Sequence, residues 1–172
     1  MRLLVLSDIH GQETVLHSIL RRENVTDGRL DYLLFLGDGL RDFEALSYYG
    51  EFAMLPALAV RGNCDFFGVS DTPELRELKL ADHRIMMMHG HRFEVKSGLE
   101  RAAAFAISKK QELLLFGHTH VQKETRFSAG DIVGGMRIER PLILFNPGNV
   151  SGGFYGVVTL SAEGIVCEHK RI

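Results

Sequence analysis

Five short apolar runs lie in the first two thirds of this chain, and each ends against a cluster of polar residues. The runs are Leu3 to Leu6, Leu33 to Leu36, Leu58 to Val60, Ile85 to Met88 and Leu113 to Phe116. They are short for helices and continuous rather than alternating, the pattern of strands covered on both faces. After the first run, Val15, Leu16, Ile19 and Leu20 recur at helical spacing and predict a helix from about Gly11 to Arg22. A second helix is predicted from Leu40 to Tyr49, with Phe43 and Leu46 facing inward. Ser97-Gly98-Leu99-Glu100 has the form of a capping box, opening an alanine-rich helix to Ser108. Leu99, Ala103 and Ala106 share one face of that helix. Further strands are expected at Leu75–Leu80, Val121–Phe127, Leu142–Phe145, Gly156–Leu160 and Ile165–His169. The glycine-rich, mixed-charge stretch from Ser128 to Arg140 reads as a long hairpin loop.

Strands and helices alternate early and strands dominate later, which places the chain in the α/β class. No internal repeat, low-complexity segment or linker interrupts it, so one domain over residues 1–172 is expected. With 45% hydrophobic residues, that length suffices for one well-cored domain and is short for two.

Charge changes the picture mainly by exclusion. Twenty basic residues stand against 22 acidic ones, a formal net charge of −2. No Lys/Arg cluster is interleaved with aromatics, so a long nucleic acid is not the expected partner. Membrane insertion is not expected either, since no stretch approaches a spanning length. Leu3 to Leu6 is too short for the core of a signal peptide and is cut off by Ser7-Asp8. Cys64 and Cys167 are far apart and one lies inside a polar cluster, so a reducing, cytoplasmic setting is expected.

The clusters that follow the five runs carry the candidate chemistry. They are Asp8-Ile9-His10-Gly11, Gly37-Asp38, Gly62-Asn63-Cys64-Asp65, His89-Gly90 and Gly117-His118-Thr119-His120. Taken singly, each has an ordinary reading: Asp8 as a helix cap, Gly37-Asp38-Gly39 as a turn, Asn63 as a left-handed turn residue. Taken together they deliver potential ligands to one rim of a sheet core, where open α/β folds place their sites. Asp8, His10, Asp38, Asn63, His89, His118 and His120 form a mixed nitrogen and oxygen set. Such a set suits Mn, Fe, Zn, Ni or Co rather than Mg or Ca. Seven ligands exceed one tetrahedral ion and fit two ions sharing a carboxylate. If the turns stay extended, Asp8 and His10 project to one side, as do His118 and His120. The glycines at 11, 37, 62, 90 and 117 permit tight turns beside the ions. His17, His83 and His169 are assigned structural places.

The order and wording of these clusters, with Asn146-Pro147-Gly148 after them, resemble the calcineurin-like metallophosphoesterases. The YfcE-type small phosphodiesterases are the most similar branch, over about residues 1 to 160. The resemblance implies a four-layer αββα sandwich of two mixed β-sheets flanked by helices. It places one divalent ion on Asp8, His10, Asp38 and His120, and a second on Asp38, Asn63, His89 and His118. Asp38 bridges, and manganese is the expected metal, with nickel, cobalt, zinc and iron as alternatives. The implied activity is hydrolysis of phosphoesters, diesters foremost, by a hydroxide bridging the two ions. Asp38 and Asn63 are the expected catalytic residues, Asn63 both ligating and contacting a phosphate oxygen.

Three departures qualify the resemblance. Cys64 stands where many relatives in the wider superfamily have a histidine able to protonate the leaving group. A thiol suits that role poorly, so a small filler is the preferred reading of Cys64, which is kept as a catalytic candidate beside it. Asn149 replaces the serine expected after Asn-Pro-Gly, and no basic residue follows in Ser151-Gly152-Gly153. Asn149 and His91 remain candidate substrate contacts. The Ser128–Arg140 stretch is longer than the resemblance implies, and a plain hairpin is expected there rather than a cover for the site. A small phosphoester is the expected partner, with homo-oligomers possible by resemblance. The alternatives are a non-catalytic binding scaffold of the Vps29 kind and a nuclease.

Overall fold

The apolar runs are continuous because the chain builds two sheets and lays one against the other. The structure, a computed structural model, describes residues 1–26, 30–48, 55–66 and 71–172. The elements begin with β1 (Arg2–Leu6), α1 (Glu13–Thr26), β2 (Tyr32–Phe35), α2 (Leu40–Ala45), β3 (Ala57–Ala59), β4 (Leu75–Leu80) and β5 (His83–Met88). There follow α3 (Glu100–Ser108), β6 (Leu113–Phe116), β7 (Lys123–Phe127), β8 (Ile132–Val133) and β9 (Met136–Arg137). The last three are β10 (Leu142–Asn146), β11 (Phe154–Ser161) and β12 (Gly164–Arg171). One five-stranded sheet has the order β12-β11-β1-β2-β3, the other β4-β5-β6-β10-β7. Each is mixed: β1 runs parallel to β2 and antiparallel to β11, and β6 runs parallel to β5 and β10 while β7 is antiparallel to β10.

Alternate residues of each run enter different layers. Leu4, Leu6, Leu33 and Phe35 pack with Leu16, Ile19 and Leu20 of α1 and with Leu40 and Phe43 of α2. Leu3, Val5, Leu34 and Leu36 instead meet Ile85, Met87, Leu113 and Leu115 across the gap between the sheets. Met86, Met88, Leu114 and Phe116 lie under Ala102, Ala103 and Ala106 of α3, whose small side chains let the helix sit close. The result is the αββα order of layers. Because β1 and β2 are parallel, and β5 and β6 likewise, each pair delivers its following loops to one end of its sheet.

Four local expectations change. Helix α3 starts at Glu100, and its N-cap is Leu99 with no side-chain cap. Ser97 lies too far ahead to cap it: Ser97 N–H closes onto Glu94 O in a turn that begins at Gly90, and Glu94 takes a left-handed conformation. The second helix ends at Ala45 and tightens into a 3-10 turn over Leu46–Tyr48; Tyr49 lies outside the described residues. β7 begins at Lys123 rather than Val121, which is exposed in the turn before it. The Ser128–Arg140 stretch is more than a loop. It contains the β8–β9 ribbon, whose Gly134-Gly135 turn has positive φ at both positions, a two-residue hairpin geometry that glycine permits. Val133 and Ile138 are buried in the α3 core. Burial of two such side chains, about 1.5–3 kcal/mol each, anchors a ribbon too short to persist alone.

Candidate metal centre

Each cluster follows a strand, the half-exposed edge strand β3 in the case of Asn63, and in three of the five the candidate ligands themselves are left-handed. Asp8, His10, Asp38, His118 and His120 have φ of 56°, 48°, 61°, 68° and 62°. The extended turns expected from the sequence are therefore not what brings these side chains together. Left-handed backbone disfavours residues with a Cβ, and it persists where the surroundings over-determine it, commonly at functional sites. Here the surroundings are other site loops. Asp8 N–H donates to Gly37 O at 2.9 Å and Ile9 N–H to Asp38 O at 2.8 Å, locking the first two loops together. Gly117 is required by close approach: a Cβ there would stand 2.0 Å from Ser7 Oγ and 3.1 Å from Asp8 Oδ2. Gly62 is equally confined, with a Cβ falling 2.1 Å from Asp38 Oδ1.

The candidate ligands form two groups. In the first, His120 Nε2 lies 3.1 Å and His10 Nε2 3.7 Å from Asp8 Oδ1, and the two imidazole nitrogens are 3.4 Å apart. Asp8 is fully buried, whereas the His10 and His120 side chains are 34% and 42% exposed, so this group opens to solvent on one side. Asp8 Oδ2 accepts from Ser7 Oγ at 2.6 Å and from His118 N–H at 3.2 Å. Its Oδ1 is buried without a hydrogen-bond partner. In the second group, His89 Nε2 lies 3.3 Å from Asp38 Oδ2, 3.1 Å from Asn63 Oδ1 and 3.2 Å from His118 Nδ1. His89 Nδ1–H donates to Leu36 O at 2.7 Å, which leaves Nε2 as the acceptor in the neutral ring.

These residues fit divalent cations. A buried carboxylate oxygen with no donor costs free energy unless a cation faces it. The second group likewise gathers Asp38, Asn63 and His118 atoms around His89 Nε2, which in the neutral tautomer set by Leu36 O presents a lone pair. Without a cation the strain appears as shifted titration. Burial raises the Asp8 pKa and outweighs the opposing effects of His89, Ser7 and His120. Burial also acts upward on Asp38, but the His89 hydrogen bond and charge and the Cys64 N–H at 2.7 Å outweigh it, holding that carboxyl well below the usual range. For His89, burial opposes the charged ring, yet Asp38 and Asp8 raise its pKa. His118 is pushed down to about 4, by burial first and then by the His89 charge.

Two positioning residues, Asp65 and Asn146, stand inside motifs that the sequence singled out but had no role assigned there. The Asp65 carboxylate accepts four backbone N–H groups, from Asp38, Gly39, Leu40 and Gly62, at 2.8–2.9 Å. It fixes the Asp38 turn against the Asn63 turn. Asn146, wholly buried, donates to Gly117 O at 2.8 Å and to Thr119 Oγ1 at 3.0 Å, holding the histidine loop. Asn149 turns its amide to Ser151 Oγ at 2.8 Å and joins neither group. The segment after it braces the Asp8 loop through backbone bonds to Ser7 O and Asp8 O. His91 sits beside the second group, its ring 5.5 Å from that of His89, with Nδ1 buried and unpartnered. His169 stacks on Phe145 and bonds Asn146 O, a structural place as expected.

Cys64 is exposed, so it is not a packed filler. Its Sγ accepts from Asn63 Nδ2 at 3.3 Å and belongs to a group with His10 and Asp38 whose ligand atoms lie within 4.8 Å of one another. Partial burial, a hydrogen bond to Asp38 and the charges of Asp38, Asp65 and Asp8 push its thiol up to about 11. At pH 8 the thiolate is then about a hundredfold scarcer than for an ordinary cysteine. Greater intrinsic nucleophilicity recovers part of that, so the metal-free protein should be alkylated by iodoacetamide about tenfold more slowly than a free thiol. The rate should climb with pH through the thiol's pKa, read by mass spectrometry at Cys64. A rate plateau near pH 8.5 would mean that the carboxylates do not reach the thiol.

Beside the first group lies a cleft of about 320 Å³ lined by His10, Gly11, Gly39, Arg41, Asp42, Cys64, Asp65 and Phe66. Gly11 N–H donates to Asp42 Oδ2 at 2.9 Å, tying the cleft floor to the His10 loop.

Comparison with known proteins adds a family and a fold. A profile of the calcineurin-like phosphoesterase superfamily domain matches residues 1–162. A probable metallophosphoesterase of Bacillus subtilis, YsnB, is 27% identical over 150 residues, 87% of this chain and 75% of that protein. A predicted phosphoesterase of Streptococcus pneumoniae superposes over 99% of this chain and 88% of its own, with TM-score 0.72 and 21% identity. Vps29 of Entamoeba histolytica, in a zinc complex, superposes over 99% of both chains with TM-score 0.67 and 21% identity. At these identities the two superpositions speak for the fold.

Proposed function

The chain belongs to the calcineurin-like phosphoesterase superfamily, whose members use divalent metal ions, and on that premise we propose that it hydrolyses phosphoesters, diesters foremost, at a centre of two ions. Asp8, His10 and His120 would hold one ion and Asn63, His89 and His118 the other, with the Asp38 carboxylate shared between them and manganese the favoured metal. The observation that carries this reading is Asp8 Oδ1, buried and without a hydrogen-bond partner, with imidazole nitrogens of His120 and His10 at 3.1 and 3.7 Å. Bound divalent ions lower the pKa of water and polarise phosphate oxygens.

The chain's own groups do the positioning. Ser7 Oγ and the His118 N–H hold Asp8 Oδ2 so that Oδ1 faces the centre. Leu36 O sets the His89 tautomer, and Cys64 N–H orients Asp38. The Asn63 carboxamide presents its oxygen to the second group while its nitrogen remains a donor. Hydrolysis forms a bond from water oxygen to phosphorus and breaks the bond from phosphorus to the ester oxygen. One water proton is lost, and the departing oxygen takes its proton from solvent.

The test is a panel of mono- and diesters run on metal-stripped protein with single divalent ions restored. Activity that vanishes on stripping and returns with Mn²⁺ supports the reading; metal-independent turnover, or none with any ion, refutes it. The Vps29 likeness favours a binding scaffold as the second reading, and the complete set of candidate ligands here weighs against it. Activity that falls steeply with added salt would favour a nuclease instead.

A further inference from the structure

The cleft beside the first ligand group carries side chains of its own, Phe66, Arg41 and Asp42, that belong to neither ligand group. Phe66 is 77% exposed there. An aromatic ring left in water at the mouth of a site is a ready stacking platform. Arg41, also exposed, has no ion pair or hydrogen bond among the described residues. Asp42 commits one carboxylate oxygen to Gly11 N–H and has no partner for the other among the described residues. His10 and Cys64 line the cleft and also stand with Asp38 in one group within 4.8 Å, so a molecule filling the cleft abuts the reacting centre.

We propose that this cleft is the subsite for a nucleoside carried on the phosphodiester. The inference rests on the hydrolytic reading above and names the class of substrate. The base stacks on Phe66, the free oxygen of Asp42 accepts from a sugar hydroxyl or base amino group, and Arg41 meets phosphate or a base carbonyl. An alkyl or simple aryl ester would use the ring alone and leave a cation and a carboxylate unmatched. A nucleoside supplies acceptors and donors for both. At about 320 Å³ the cleft is at the small end of ligand pockets, room for one nucleoside and not for a strand. The formal net charge of −2 also fits a short ligand better than a polyanion.

Two diesters with the same leaving group provide the test: thymidine 5′-(p-nitrophenyl phosphate) and methyl p-nitrophenyl phosphate, each with Mn²⁺-loaded protein. The expected wild-type preference in kcat/KM is for the nucleoside diester. Phe66→Leu should reduce that preference about tenfold, the order of one base–aromatic stack, while Phe66→Tyr should restore it. Arg41→Ala should reduce it as well, chiefly through KM. Thymidine 5′-monophosphate binding, measured by calorimetry on the same Mn²⁺-loaded variants, gives a readout independent of turnover. It should weaken about tenfold in Phe66→Leu. A preference and a binding affinity both indifferent to Phe66 and Arg41 would overturn the subsite, with hydrolysis left standing. No turnover of either diester, but Phe66-dependent binding of the monophosphate, would overturn hydrolysis and keep the subsite. Neither turnover nor binding would overturn both.

Discussion

Asp38→Asn should lower kcat/KM on an activated phosphodiester by roughly 10³-fold and reduce saturating metal content from two ions per chain to one or fewer. The expectation follows from where Asp38 sits. Its Oδ2 lies 3.3 Å from His89 Nε2, within the second ligand group. The same carboxylate also belongs to the group with His10 and Cys64, so it touches both halves of the site. Substitution with Asn keeps the shape and removes the charge, which isolates the electrostatic contribution from packing. Its side chain is nearly buried, so the loss is poorly screened by water. His120→Ala is the contrast. It removes a half-exposed ligand from the Asp8 group alone and should weaken one site chiefly. Metal analysis after equilibrium dialysis separates the two variants. One ion per chain at saturation, unchanged by Asp38→Asn, would rule out a shared carboxylate.

Much of the layered architecture was legible because the apolar runs encode it twice. Their length and continuity announce strands covered on both sides, and the polar cluster closing each run announces a loop at a sheet rim. The alternation that sends Leu3 and Val5 inward between the sheets and Leu4 and Leu6 toward the helices follows from the two-residue period of a strand. The candidate ligands were legible by residue type, not by geometry. Nothing in Asp8-Ile9-His10 says that both chemical residues are left-handed; that comes from loops bonding to one another over long sequence separations, as in Asp8 N–H to Gly37 O. Asp65 and Asn146 escaped for the same reason. Each works through backbone groups of remote residues, and an aspartate taking four N–H groups looks, in sequence, like any turn aspartate. Ser97 misled because a capping box is a local pattern. The Glu94–Ser97 turn, closed by Ser97 N–H onto Glu94 O, took up Ser97 before the helix began at Glu100.

The second large effect concerns the leaving group. Cys64 occupies the position from which many relatives are expected to protonate the departing oxygen, and a thiol pushed up to about 11 holds its proton too tightly to serve near neutral pH. Bound cations would lower that value toward the thiolate, which has no proton to give, so neither state makes a good acid. His91 is the other imidazole nearby; burial and the His89 charge lower its pKa and so favour the neutral ring. The leaving group should then depart with little help, and rate should depend steeply on its acidity. Positioned proton donation is worth about 10²–10⁴-fold, roughly 3–5 kcal/mol at the transition state. Alkyl phosphodiesters should lag p-nitrophenyl diesters by at least that factor beyond what the metal-free reaction shows. Cys64→Ala should keep most of the activity on the activated diester, whereas His89→Ala, which removes the centre of the second group, should lose nearly all of it. Cys64→His should narrow the gap for alkyl esters if the exposed position admits the ring. A Cys64→Ala protein that retains both metals and yet fails on the activated diester would make the thiol a catalytic group.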